Sequence, residues 1–299
     1  MEMQPRVLVV GASGKLGAKV VRELLALGAT VRVTHRASSN HDTVVALRAL
    51  GVELVIADLS DAASLAHACA GVDVVVSAVQ GLREVMVDGQ TRLLRAAEQA
   101  GVKRMMPSDY ALDFFKTAPG GNRNLDLRRE MDAVLDASGE VRATSLLCGA
   151  FMDLLAWGAI GPDRQTGVYK VWGDADQPYD FTHTDDVAKY IAAVAVDPDA
   201  GRVVRVAGET VSPRQLGAVF AEVRGTPVTI EYAGTLEELD GRIAGMRAAD
   251  EAPDNVFPVW QQMQYSRDMA SGLGRLTPLD NVRYPLIRPR SVRELLSDR

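Results

Sequence analysis

Short β-branched runs alternate with stretches of helical spacing through the first half of the chain. "RVLVV" from Arg6, "TVRVTH" from Thr30, "VELVIA" from Val52, "VDVVVSAV" from Val72, "VKRMMPS" from Val102 and "VRATSLL" from Val141 are the strand candidates. Between the first two, Leu16, Val20, Leu24 and Leu27 recur at helical spacing, and Gly28 stands where a left-handed C-terminal cap is expected. The first unit is therefore βαβ, and the continued alternation predicts an α/β fold with a parallel sheet wrapped by helices. After Gly149 the rhythm loosens through "WGAIGPDRQTG", which marks the start of a second lobe, before a strand at "VYKVW" and a helix opening in "THTDDVAKYIAAVAV". "SPRQLGAVFAEVRG" predicts a helix with Ser212 as N-cap, Pro213 in the first turn, Gln215 closing a capping box and Gly225 past the end. "TLEELDGRIAGM" repeats the device with Thr235 and Glu238, and the Pro-interrupted tail ends in a short helix at "SVRELL".

Composition narrows the class. The chain has 299 residues, 47% of them hydrophobic, enough to bury a sizeable core. A formal charge of -6 offers no basic face to phosphate backbones, so nucleic acid is not expected as a ligand. Cys69 and Cys148 lie in apolar surroundings and read as core residues of a protein in a reducing compartment. "MEMQPR" leads straight into "VLVV" without a signal peptide, and no apolar run approaches the ~20 residues that a bilayer requires. A cytoplasmic protein without membrane contact is expected. His35, His41, His67 and His183 show no metal-ligand spacing, and no metal is expected.

Gly11, Gly14 and Gly17 form G-x-x-G-x-x-G between a buried strand and an amphipathic helix. Glycines at this spacing permit a tight turn and close backbone approach, so that amides at the helix N-terminus face a pyrophosphate. The second strand ends at His35-Arg36, about 20 residues beyond the glycines, where NAD-binding proteins carry an acid for the ribose hydroxyls. Arg36 replaces that acid and suits a 2′-phosphate, which favours NADP over NAD. Ser13 and Lys15 are further phosphate candidates, although a solvated helix-start lysine is an equal reading for Lys15. Asp58, in "ADLSD" after the third strand, either meets the adenine amino group or supplies the N-terminal charge of the next helix.

With "GASGKLG", the arginine ending strand two, "PSDY" from Pro107, "CGAFMDLL" from Cys148, "YDFTHTDDVAKYIAAVAVDP" and "TLEEL" in this order, the chain resembles the NmrA-like and isoflavone reductase-like atypical short-chain reductases over nearly its whole length. The resemblance implies a Rossmann-type, doubly wound NADPH domain over 1–154, with 182–208 returning to it. A smaller, mainly substrate-binding lobe follows over 155–299. The implied cofactor set is Gly11, Ser13, Gly14, Lys15, Leu16, Gly17, Arg36, Asp58, Ala78, Val79, Ser108 and Phe151. The implied substrates are flat aromatic or quinone-like molecules, and Phe114, Phe151, Met152, Trp157 and Trp172 are the candidate pocket; a homodimer is compatible with the family.

One departure concerns catalysis. No Tyr is followed four positions later by Lys, the pairing that ordinary short-chain dehydrogenases use to move a proton. The resembled family uses instead a lysine on the helix after its P-S-E-F motif, and that place falls at or near Arg128 in "DLRREMDAVL". Arginine stays cationic, so Arg128 is a candidate oxyanion partner rather than a proton donor. Tyr110 and Lys116 are the other candidates, and His183, just before a helix, reads as a loop residue. The leading expectation is an NADPH-dependent reductase of an aromatic, quinone-like, enone or benzylic ether substrate. A non-catalytic NADP(H) sensor that binds a protein partner is the alternative, and an epimerase or dehydratase is a third.

Overall fold

The alternating pattern folds as a repeated strand-helix chain: β1 (Arg6–Val10), α1 (Lys15–Ala26), β2 (Thr30–His35), α2 (His41–Ala49), β3 (Glu53–Ile56), α3 (Ala62–Cys69), β4 (Val74–Ser77), α4 (Gln90–Gln99), β5 (Arg104–Met106), α5 (Arg123–Ser138) and β6 (Arg142–Ala143). There follow β7 (Ser145–Leu147), β8 (Ala150–Phe151), α6 (Asp153–Trp157), β9 (Val168–Trp172), β10 (Tyr179–Thr182), α7 (Thr184–Val196), β11 (Val203–Arg205), β12 (Glu209–Val211), α8 (Pro213–Arg224), β13 (Thr229–Gly234), α9 (Leu236–Ala248), α10 (Val259–Ala270) and α11 (Val292–Ser297). The computed structural model describes residues 5–252 and 254–298. They form two compact units. The first comprises the chain up to Tyr110 with Leu127–Leu146 and Val187–Val204; the second comprises Ala111–Asp126, Leu147–Asp186 and the chain from Arg205.

The first unit is built on a six-stranded parallel sheet in the order β3-β2-β1-β4-β5-β6. This is a Rossmann order, reversing direction between β1 and β4, and open sheets of this kind bind ligands beyond the strand ends at that reversal. β1 reads as an unbroken apolar run because both of its faces are covered. Leu8 and Val10 pack into a core with Leu65, Leu93, Leu94, Met131 and Leu135. Val7 and Val9 are fully buried too, as are Val20, Val21 and Leu24 of α1, which packs on β1 and β2.

In the second unit, β10 lies between β8, which it parallels, and the antiparallel β12. A separate parallel pair joins β9 to β13. α9 packs on α10, and α8 on α11. The capping boxes expected at Ser212–Gln215 and Thr235–Glu238 are formed, and Ser291 with Glu294 makes a third at α11. Gly225 ends α8 in the left-handed conformation.

Some expectations change. Leu27 does not extend the buried stripe of α1: the helix ends at Ala26, and Leu27 is exposed, while Gly28 turns the chain at φ +80°. "VRATSLL" is two strands. Thr144 N still donates to Met105 O at 3.0 Å, but Ser145 N donates to Arg202 O at 2.9 Å, so the pairing partner changes at residue 145 and β7 pairs with β11. The changes of unit fall at 110/111, 126/127 and 146/147, so that residues 111–126 and 147–154 go with the second unit, and the returning segment is Val187–Val204. Cys69 and Cys148 are buried and free. Among the described residues no helix is long and apolar enough to cross a membrane.

Candidate functional site

The three glycines of the turn after β1 answer to different neighbours. Gly11 has φ +90°, and a Cβ there would lie 2.4 Å from Ala78 O. A Cβ on Gly17 would lie 2.2 Å from Gly11 O. Both are thus required by the chain's own packing. Gly14 is different. It is the N-cap of α1 with φ -80° and ψ 162°, a conformation open to any residue, and its Cβ would meet only Gly11 O at 3.3 Å. No side chain caps α1 and its first turn carries no acid. Exposed Ser13, Gly14 and Lys15 and half-buried Leu16 therefore surround a helix N-terminus whose amides and positive dipole end favour an anion.

Arg36 follows β2 and is exposed, and none of the described ion pairs involves it. Its backbone is fixed by a turn in which Arg36 N donates to Ser39 Oγ at 3.0 Å. Asp58, after β3, accepts from Ser60 N at 2.8 Å and Ser60 Oγ at 2.6 Å. These bonds, with Arg36 and Arg92 nearby, hold its carboxyl below the usual range. The charge that caps α3 is Asp61, which accepts from Ala63 N at 3.0 Å, so capping does not explain Asp58.

Ala78 and Val79 continue β4 beside the glycine turn, with Ala78 N donating to Val10 O at 2.8 Å. The segment after β5 is tied to them. Ser108 Oγ donates to Val79 O at 2.6 Å, and Ser108 N donates to Gln90 Oε1 at 3.0 Å. Tyr110 is buried, and its hydroxyl donates to Ser77 O at 2.9 Å. The turn, Ala78, Val79 and Ser108 are therefore brought together at the carboxyl ends of β1, β4 and β5.

Arg128 lies half-buried on α5. Asp132, one turn on, pairs with Arg202 at 2.7 Å and also accepts from Ser145 Oγ at 2.8 Å. Beside this group sits a residue that the sequence reading passed over. Asp109 is completely buried, and burial first, with the nearby Asp132 next, pushes its carboxyl up to about 7. The available signal was an acid three residues past an apolar strand and just before an aromatic residue in "MMPSDY".

In the second unit, Phe114 is fully buried and Phe115 partly exposed, with ring centroids 4.4 Å apart. Phe151 is half-buried on β8, opposite Thr182 of β10, and Met152 beside it is fully buried. Trp157 ends α6 with 63% of its surface exposed, whereas Trp172 ends β9 against Gly234. The Lys116 ammonium donates to Arg275 O at 3.1 Å and Thr277 O at 2.8 Å, and it lies 3.2 Å from buried Asp113. His183 precedes α7, with its ring 3.6 Å from Asp153 and 3.5 Å from Asp185.

The model of the NmrA-like family matches residues 3–267. Pinoresinol reductase 2 of Arabidopsis thaliana is 32% identical over 209 residues, covering 64% of this chain and 65% of that protein. The chain thus matches slightly less than two thirds of that relative's length. The isoflavone reductase homolog IRL of Zea mays is 30% identical over 243 residues, covering 76% and 77% of the two chains. The solved structure of AtPrR2 with NADP+ and (+)pinoresinol aligns over 99% of both chains, with a TM-score of 0.78 and 25% identity.

Proposed function

The chain belongs to the NmrA-like family, and on that premise we propose that it is an NADPH-dependent reductase of a small aromatic, quinone-like, enone or benzylic ether substrate. The observation that carries this reading is the unequal demand on the three glycines. Gly11 and Gly17 are fixed by hard internal contacts, whereas at Gly14 a Cβ would press only on Gly11 O at 3.3 Å, a contact that a shift of a few tenths of an ångström relieves, and the missing side chain leaves the end of α1 open to a phosphate. The relatives named as reductases support the activity, and the AtPrR2 structure with NADP+ supports the cofactor.

The residues fit an NADP-type dinucleotide. The amides after Gly14 would hold the pyrophosphate, Arg36 the 2′-phosphate, Asp58 the adenine edge, and Ala78, Val79 and Ser108 the segment beyond, with Phe151 as a further contact. When bound, NADPH supplies a hydride to an electrophilic carbon. The protein's part is to orient the substrate and to meet the negative charge that develops on its oxygen. Arg128 is assigned that electrostatic role because it stays cationic at every working pH. Tyr110 and Lys116 are the other candidates, and each donates to backbone carbonyls. Quinones suit such a site, because their reduced oxygens can take protons from water. Phe114, Phe115, Phe151, Met152, Trp157 and Trp172 are the aromatic and apolar residues assigned to the substrate.

The test is loss of NADPH absorbance with a panel of quinones, enones and benzylic ethers. Arg128→Met should lower turnover by roughly 10²-fold, in the range of losing an oxyanion donor, while NADPH affinity barely changes. Equal affinity for oxidised and reduced cofactor without turnover on any substrate would replace the reductase with the sensor.

A further inference from the structure

The segment after β5 gives two of its three polar side chains to the main chain at the end of β4: Ser108 Oγ to Val79 O and the Tyr110 hydroxyl to Ser77 O. The third, Asp109, has no exposed surface, and neither of its carboxylate oxygens receives a hydrogen bond. The groups that act on it are Asp132 and Arg128 on α5, Ser145 on β7, and Arg202 just before β11. The Ser145 hydroxyl lies near Asp109 as well and acts to lower its carboxyl, but its bond of good geometry is to Asp132. Asp132 pairs with Arg202 at 2.7 Å and takes the Ser145 hydroxyl proton at 2.8 Å, while Arg202 donates to Ser145 Oγ at 3.0 Å. A hydroxyl has one proton to give, and that of Ser145 is committed to Asp132.

Two buried carboxyls thus stand beside two guanidiniums, with only one carboxyl hydrogen-bonded. An enclosed carboxylate without donors is costly, and a second negative charge close by makes it costlier. The economical state places a proton on Asp109 and leaves Asp132 charged against Arg202.

We propose that Asp109 is a positioning residue for this site: its protonation sets the charge that α5 presents through Arg128, so that Arg128 holds a substrate oxyanion most strongly when Asp109 is neutral. Arg202 also pairs with Asp136 on α5 at 2.8 Å, so with Asp109 neutral the two guanidiniums face Asp132 and Asp136. With Asp109 ionised they face a third carboxylate, and the positive potential around Arg128 falls. Burial and Asp132 place the change near pH 7. The oxyanion part rests on the reductase reading, whereas the coupling of Asp109 to Arg128 does not.

The experiment follows the infrared C=O stretch of a protonated carboxyl in the intact protein from about pH 5 to about pH 9, a range in which ordinary carboxyls are already ionised. The expected result is a band that disappears with a midpoint near 7 and is missing from Asp109→Asn. Arg128→Met should raise that midpoint by about one pH unit or more, because an adjacent cation lowers a carboxyl by that amount, whereas Arg128→Lys should largely retain it. Should Asp109→Asn fail to fold, the wild type and the two Arg128 variants still give the answer. Turnover of the wild type should fall about tenfold through the same midpoint, and that of Asp109→Asn should keep its low-pH value. A missing band, or a midpoint that Arg128→Met leaves in place, overturns the proposal. A shifted midpoint with no turnover in any form supports the coupling and overturns the reductase reading instead.

Discussion

The Tyr110 hydroxyl donates to the backbone carbonyl of Ser77 at 2.9 Å, both groups being buried. Ser77 ends β4, next to the Ala78 carbonyl that closes over Gly11. The phenol is therefore a strut between the segment after β5 and the end of β4.

Tyr110→Phe should leave the Ser77 carbonyl without this donor and lower stability by about 1–3 kcal/mol, read by denaturant unfolding. Turnover should stay within a fewfold of the parent. A loss of roughly 10²–10⁴ in turnover with unchanged stability would mark the phenol as a general acid and displace the strut.

Gly14→Val should fold and fail to bind NADPH in calorimetry, since its φ of -80° tolerates valine and its Cβ meets only Gly11 O. Gly17→Val should be unstable whether or not cofactor is present, because its Cβ would fall 2.2 Å from Gly11 O. Normal NADPH affinity in the Gly14 variant would mean that the turn serves packing alone.

Arg36→Glu should erase a preference for NADPH over NADH, because a carboxylate would repel the 2′-phosphate that a guanidinium attracts. Titrating both cofactors against the variant checks this. An unchanged affinity ratio would remove Arg36 from the site.

Asp109 makes folding stability depend on pH in a stated direction. Its carboxyl is raised to about 7 in the fold, against ~3.9 in an unfolded chain. The fold therefore binds the proton more tightly, and this stabilisation is complete below about pH 4 and is lost as pH rises through about 7. The difference in unfolding free energy between wild type and Asp109→Asn should change across that window by up to ~1.4 kcal/mol per pH unit, in the sense that the wild type loses ground. A constant difference would mean that Asp109 is ionised throughout.

The parts of the fold legible in the sequence are those where one physical signal acts alone. The run "RVLVV" needed two covered faces, and "SPRQLG" and "TLEEL" carry their capping boxes within four residues. α10 was hidden because its inner face is polar: Gln261, Gln264 and Asp268 are buried, so the helical period of apolar residues disappears. The split in "VRATSLL" was invisible for another reason, since its new partner, Arg202, lies far along the chain. At the candidate site, the glycines and Arg36 could be read from local spacing. The set of Asp109, Asp132, Ser145 and Arg202 could not, because its contacts span up to about seventy residues of sequence.

The order in which the first unit is assembled has a bearing on its synthesis. Arg104, on β5, is buried, and its guanidinium donates to Asp197 O at 2.6 Å and to Ala195 O. Those carbonyls belong to a segment made some ninety residues later. A nascent chain that has released all six parallel strands from the ribosome still holds a guanidinium with no acceptors for these bonds, and desolvating it in that state is unfavourable. The first unit is thus completed only after two segments of the second, Ala111–Asp126 and Leu147–Asp186, have emerged, so the N-terminal portion does not mature first, as it does in chains whose domains follow one another in sequence.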